Sequence, residues 1–381
     1  MDRIQVNNFG PIGHVDVSLG DLTIIVGAQA SGKSLFLELM KLVIDKNAII
    51  SNLKKFNYII KNDIDSFLDL YFGMGVSKAW GQDTSVIVDN RPAMSKIPIS
   101  KLPPQPEEEQ VFYIPAQRIL SVSDGRPKNF MEFDPSSPYV LRQFSDTVRV
   151  FMAGGFGGNN NVIFPINTRL KKSQRDLFNS TIFHDGKVLM DTSSGQRKMK
   201  LSVADMEMPF MTWSAGQKEF LPLLMGFYCV SGPPTQVINK EQYKYIVIEE
   251  PEMGLHPQAI KAVLLQILEL IQAGYKVIIS THSPVPLEFV WAFNSIRESM
   301  TDNKEEVLMR LFGGEKLNAS AFKGIFSKDI KTYCFSRKEG KVNSVNISTL
   351  DPMDDDSDIR EWGGMSSFSS EASEIVSQLY E

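Results

Sequence analysis

The sequence predicts an α/β fold in which a mixed central sheet is flanked by helices, and two observations carry that prediction. The run Leu22–Val26 is apolar throughout, as a strand buried on both faces must be, and it breaks into a small-residue loop followed by Leu35, Leu39 and Leu42 at helical spacing. After residue 205, strand and helix patterns alternate, the order that lays down parallel strands with helices packed against them. In such sheets ligand groups gather at the strand ends.

Each element has its own reason. Residues 3–7 and 13–18 alternate apolar and polar around Phe9-Gly10-Pro11-Ile12-Gly13, so they read as a strand, a turn and a returning strand. Leu22–Val26 is the third strand, and the helix after it runs from Lys33 to Ile44. From residue 46 the pattern is less regular, with helices expected at 62–73, 138–153 and 168–182 and strands at 84–89 and 111–115. The stretches Leu102–Glu109 and Gly154–Asn161 have the composition of loops. Regularity returns with a helix Gln217–Cys229, a strand Tyr245–Ile248, a helix 257–273, a strand Lys276–Ser280 and a helix 284–299. A hairpin, 331–336 and 341–348, turns at Lys338-Glu339-Gly340. The acidic segment Asp351–Asp358 follows, and the last 30 residues are expected to be partly disordered. These elements divide the chain into a core of residues 1–45 and 205–300, a helical or irregular insertion at 46–204, a helix and hairpin at 301–350, and an acidic tail at 351–381. No fixed-period repeat and no sustained heptad is visible, which argues against a long coiled-coil arm.

Composition narrows the function classes. With 43% apolar and 22% charged residues, the 381-residue chain has material for a buried core and no bias toward disorder. Its two cysteines, Cys229 and Cys334, lie in apolar runs as buried free thiols would, not as a disulfide framework. No apolar run approaches the ~20 residues of a spanning helix and no signal core opens the chain, so a cytoplasmic protein without a membrane anchor is expected. A formal net charge of −5 means that nucleic acid, if bound, must be held by a local basic patch. Arg169, Lys171, Lys172 and Arg175, with Arg197, Lys198 and Lys200 in the following hairpin, could form one, although such a run also describes a solvated helix face.

Two motifs carry chemistry outright. Gly27-Ala28-Gln29-Ala30-Ser31-Gly32-Lys33-Ser34 matches G-x-x-x-x-G-K-[ST] between a buried strand and a helix, the context that makes a phosphate-binding loop. Its glycines let backbone N–H groups point at phosphate oxygens at a helix N-terminus; Lys33 reaches the β- and γ-phosphates of ATP and Ser34 holds Mg2+. Tyr245-Ile246-Val247-Ile248-Glu249-Glu250 is an apolar strand ending in paired carboxylates. Glu249 there would organise Mg2+ and Glu250 would polarise an attacking water.

Two further motifs bring a family into view. Trp213-Ser214-Ala215-Gly216-Gln217 resembles the signature loop of ABC-type ATPases, and Ile278-Ile279-Ser280-Thr281-His282-Ser283 resembles their strand-end switch histidine. By itself Ser214 is also an ordinary helix N-cap, and His282 a polar residue at a strand end. Order and spacing agree with the family, since Glu250 follows Gly216 by 34 residues and His282 follows Glu250 by 32. Glu250-Pro251-Glu252-Met253-Gly254-Leu255-His256-Pro257 and the opening Ile4–Ile12 resemble SMC-like and OLD-like ATPases, whereas a transporter subunit would carry Asp in place of His256. Tyr113-Ile114-Pro115-Ala116-Gln117-Arg118 resembles the family's glutamine loop, so Gln117 would touch Mg2+ or the attacking water and Arg118 a phosphate or a partner; both could equally close the strand in solvent.

The resemblance implies an ABC-type P-loop ATPase head, with Glu250, His282 and Gln117 acting in catalysis. It implies Ser34, Glu249 and Gln117 at the metal, and Ser214, Gly216 and Gln217 meeting the nucleotide of a second copy in a head-to-tail dimer. One departure is Glu249, where the family usually has Asp; the extra methylene shifts the carboxylate and points to slow or conditional turnover. Relatives often carry a TOPRIM nuclease, but the 91 residues after position 290 hold no strand-end acidic motif, so a separate effector, a nuclease or toxin in anti-phage defence or DNA metabolism, is the expected partner. The alternatives are a nucleotide-locked scaffold and, less favoured by His256, a transporter subunit. Phe9 is a candidate for stacking on adenine, and equally a core residue.

Overall fold

The computed structural model describes residues 1–94, 107–122, 124–154, 161–193, 195–235, 237–314, 317 and 319–378. Most of the two loop-like stretches, 102–106 and 155–160, lie outside them. In chain order the elements begin β1 (Arg3–Phe9), β2 (Ile12–Ser18), β3 (Leu22–Gly27), α1 (Lys33–Lys55), α2 (Ile64–Phe72), β4 (Trp80–Val88), β5 (Arg91–Met94), β6 (Val111–Ile114) and α3 (Tyr139–Ala153). There follow β7 (Val162–Phe164), α4 (Lys172–Phe178), β8 (Lys187–Asp191), β9 (Lys198–Val203), β10 (Met206–Pro209), α5 (Ala215–Val230), β11 (Tyr245–Glu249), α6 (Pro257–Gln272) and β12 (Lys276–Ser280). The chain closes with α7 (Val285–Glu298), α8 (Lys304–Leu311), β13 (Ile330–Lys338), β14 (Lys341–Asn346), α9 (Ser357–Arg360) and α10 (Ser367–Gln378).

The central sheet has ten strands in the order β5-β4-β1-β2-β14-β13-β3-β12-β11-β6. From β13 to β6 the strands are parallel, and the outer ones pair antiparallel except β14 with β2. Side chains alternate between two cores. Leu22, Ile24 and Val26 of β3 pack with α5, α6 and α7, while Ile25 faces α1 on the other side. This double burial is why β3, β11 and β12 read as unbroken apolar runs.

Three features depart from the sequence reading. The first helix does not stop at Ile44: Asp45 leaves helical geometry (φ −112°, ψ 15°) and the helix resumes to Lys55. The kink has a cause, because the buried Asp45 carboxylate accepts from Lys41 Nζ (2.9 Å), Gln110 N (2.8 Å) and Val111 N (3.1 Å), tying α1 to β6. The middle segment carries more strand than expected: β4, β5 and β6 join the central sheet, and β7–β10 form a separate four-stranded antiparallel sheet. Strands of three to six residues rich in Lys and Met give little periodic signal. Finally, the helix expected at 168–182 is only α4 plus a π-helical turn, Asn179–Phe183.

Candidate functional site

The parallel register decides where the chemistry gathers. Glu249 pairs with Ser280, Ser280 with Ile25, and Gly27 with Phe335, so β3, β11 and β12 end together and release their loops at one edge of the sheet. A cleft of about 390 Å³ opens there, lined by Gln29 to Ser34 of the phosphate loop together with Glu250 and His282.

Gly27 sits at φ +147°, and a Cβ there would stand 2.7 Å from the Phe335 carbonyl oxygen, so only glycine fits. Lys33 is buried and folded back on its own loop, donating to Gly27 O (2.8 Å), Ala28 O (3.0 Å) and Ser31 Oγ (3.4 Å). Burial lowers its pKa, and the carboxylates led by Glu250 pull it back up. Ala28, Gln29 and Ala30 remain exposed.

Glu249 is buried at the tip of β11. Its Oε2 accepts from Ala116 N (3.0 Å), which ties it to the loop after β6. Burial pushes the carboxyl above its usual range, against the opposing influence of the Ser34 hydroxyl, the Ala116 N–H and the Tyr113 hydroxyl. Oε1 is buried and lacks a well-formed hydrogen bond among the described residues. An orphaned carboxylate oxygen beside the Ser34 hydroxyl is a donor set that a hard cation fits.

Glu250 has φ +43°, a left-handed conformation costly for a residue of its size. Its backbone is fixed from both sides: Glu250 N donates to Ser280 O (2.9 Å), and its carbonyl accepts from Arg118 Nη2 (3.0 Å). The resulting side chain lies 3.4 Å from His282 Nε2. Glu252 anchors the histidine loop, its Oε1 accepting from Thr281 Oγ1 and His282 N, both at 2.7 Å. The next residues enter α6, where His256 Nδ1 accepts from Gln258 N (3.3 Å) as N-cap and Pro257 opens the helix.

Arg118 is assigned differently by the structure than by the sequence. It is 0% exposed and donates through Nε to Glu219 O (3.2 Å), through Nη1 to Glu249 O (2.9 Å) and through Nη2 to Glu250 O. It is an internal brace joining α5 to the acidic strand end, and a single basic residue after a strand carries no signal of that role. Phe9 is likewise a core residue, packed on Phe72 and Trp80, and does not reach the cleft. Gln117 follows Ala116 on an exposed turn at the edge of the site.

The signature segment stands outside this cleft. Ser214 and Gln217 form a capping box, Ser214 Oγ accepting from Gln217 N (3.3 Å) and Gln217 Oε1 from Ser214 N (3.2 Å), while Gln217 Nε2 donates to Ile182 O (3.2 Å). Ser214 is exposed, and Gly216 abuts the acidic loop, since a Cβ there would lie 2.7 Å from Gly254 O. Of the basic run, Arg169 is 5% exposed and holds the turn after α5 through Pro233 O (2.8 Å), Lys171 pairs with Glu269, and Lys172 pairs with Asp176 (2.7 Å).

Known protein families match separate parts of this chain. The family described as "AAA ATPase domain" matches residues 1–130, and the one described as "AAA domain, putative AbiEii toxin, Type IV TA system" matches residues 153–288. The "Old nuclease" of Escherichia phage P2 is 42% identical over 65 residues, 17% of this chain, and the chain spans 11% of that relative's length. Among solved structures, an SMC head bound to the C-winged helix domain of ScpA aligns with TM-score 0.42 at 12% identity, over 91% of this chain and 96% of the other. The SMC head domain from Thermotoga maritima aligns with TM-score 0.37 at 10% identity, over 91% and 98%. Both family models describe ATPase domains, and each matches about a third of the chain. In these segments and in its motifs the chain is similar to SMC-like and OLD-like ABC-type ATPases. Among the described residues no helix is long and apolar enough to cross a membrane.

Proposed function

We propose that the chain binds and hydrolyses Mg–ATP in this cleft, pairs head to tail with a second copy around the nucleotide, and through that cycle controls a separate effector, a nuclease or toxin, in anti-phage defence or DNA metabolism. The observation that supports it best is the convergence of the phosphate loop, Glu250 and His282 on one cleft, beside the orphaned Oε1 of Glu249.

Lys33 exchanges its carbonyl partners for the β- and γ-phosphates, and the loop N–H groups bind the remaining oxygens. Ser34 and Glu249 would hold Mg2+, with Gln117 at its outer edge; the ion when bound supplies charge neutralisation to the phosphates. Glu250 accepts the proton of the attacking water, and His282, oriented by Glu252, meets the γ-phosphate side. Ser214, Gly216 and Gln217 complete the pocket of a second copy, so ATP adds contacts that ADP cannot and hydrolysis loosens the pair. The effector reading draws on what the toxin-family description and the phage nuclease say of those proteins. The long, buried Glu249 favours slow turnover, which keeps a nucleotide-locked scaffold as the second reading.

The test is Glu250→Gln. The variant should retain ATP and accumulate dimers in light scattering while phosphate release falls by about 10²-fold or more. A variant that stays monomeric at saturating ATP, or that releases phosphate at the parent rate, overturns the proposal.

A further inference from the structure

A second cavity, about 980 Å³, lies at the opposite edge of the sheet, where Tyr243 and Tyr275 lead into β11 and β12. Its volume is that of a small-molecule site. The walls are the start of α4 with the loop before it, the last turns of α6, and the C-terminal end of α5. Among the described residues three cations on this lining hydrogen-bond only to backbone carbonyls: Arg169, which also lies over the Phe151 ring, to Ser231 O and Pro233 O, Arg175 to Asn167 O and Leu170 O, and Lys240 to Gly232 O. The other two, Lys171 and Lys172, are matched by Glu269 and Asp176, and Glu241 at the rim offsets the three in part.

Donor capacity is left over. Both arginines spend only Nη1, so the Nε/Nη2 edge of Arg175, the fork that fits a phosphate, makes no bond among the described residues. Arg169 Nε is likewise buried without a hydrogen-bond partner on the same lining. A double-stranded backbone needs its cations on an open face, whereas these converge in a concavity.

We propose that this cleft binds a small phosphate-bearing anion, gripped by Arg175 and Lys240 and independent of the ATP site. A consequence, which rests on the ATPase reading, is regulation. Arg169 and Lys240 hold Pro233 O and Gly232 O in the turn that leaves α5, and the other end of that helix, about 24 Å away for 16 residues, carries Ser214. A ligand that draws these cations off their carbonyls changes the seating of the signature helix.

The test uses the full chain with Lys33→Ala, which removes the phosphate-loop lysine, titrated with inorganic pyrophosphate by calorimetry at low salt. One site is expected; Arg175→Ala with Lys240→Ala in that background should weaken it at least about tenfold, and the size-conserving Arg175→Gln alone should also weaken it. Lys187→Ala, away from the cleft, should leave it unchanged. No pyrophosphate binding to the Lys33→Ala chain, or binding indifferent to the cleft variants, overturns the site. So does a single-stranded oligonucleotide that binds through these residues where pyrophosphate does not. ATP retention by the Lys33-intact chain is read separately, so failure of one reading is distinguishable from failure of the other.

Discussion

Arg118→Met removes a charge from the interior and three donors, one from the buried Glu249 O and two from the part-buried Glu219 O and Glu250 O. Each orphaned carbonyl costs roughly 1–3 kcal/mol, and relief of the guanidinium's own desolvation returns part of the sum, leaving a net loss of about 3–5 kcal/mol. Burial already pushes the guanidinium pKa down, while the carboxylates of Glu219, Glu252, Glu250 and Glu249 pull it back. Against a total stability of roughly 5–15 kcal/mol this is severe but survivable. Urea unfolding measures it. At temperatures where the variant is folded, ATP retention through Lys33 should persist while phosphate release falls, because the carbonyl that holds Glu250 in its left-handed conformation has lost its anchor. Arg118→Lys keeps the charge but cannot span three carbonyls, and should fall between the two. A Met variant within about 1 kcal/mol of the parent, or one with undiminished phosphate release, refutes the brace.

Gly27→Ala forces a Cβ against Phe335 O at φ +147°; it should cost roughly 1–3 kcal/mol and abolish ATP retention on a filter. Arg3 hydrogen-bonds Asp16 and holds its carboxyl below the ordinary Asp range, so that pair's stabilisation is fully present above about pH 4 and is lost as pH falls through the lowered value. Asp16→Asn should flatten the acid limb of a pH series of urea melts by at most about 1 kcal/mol, since the pair is partly exposed.

The phosphate loop and the acidic strand were legible because local chain geometry builds them: an apolar strand, a loop of small residues and a helix are contiguous in sequence. The other reading of the signature segment was legible too, since Ser214 is the N-cap that its Ser-x-x-Gln pattern describes. What could not be read depends on contacts across long sequence separations. Arg118 reaches carbonyls 101 to 132 residues away, and Asp45 breaks its helix only because Gln110 and Val111 arrive beside it. Arg169 had the pattern of an exposed basic face and is instead buried against the turn after α5, a partner 64 residues on. Short strands such as β7 and β10 take their identity from neighbours in a sheet and leave little period in three or four residues.

The cleft sets a backbone fixed by hydrogen bonds beside an ammonium that rests on neutral acceptors. Glu250 in a left-handed conformation represents strain of roughly 1–3 kcal/mol, which persists only where surrounding bonds outweigh it. Here Ser280 O holds its N–H and Arg118 holds its carbonyl, while Glu252 fixes the adjoining histidine loop through Thr281 and His282. The carboxylate therefore stands near His282 before any nucleotide arrives, so little reorganisation remains for the reaction to drive. Lys33 is the opposite case. Its ammonium rests on the carbonyls of Gly27 and Ala28, neutral acceptors that a doubly charged phosphate group outcompetes. On the proposed reading, phosphate binding is the step that moves a side chain, and the groups that would act on water stand in place beforehand.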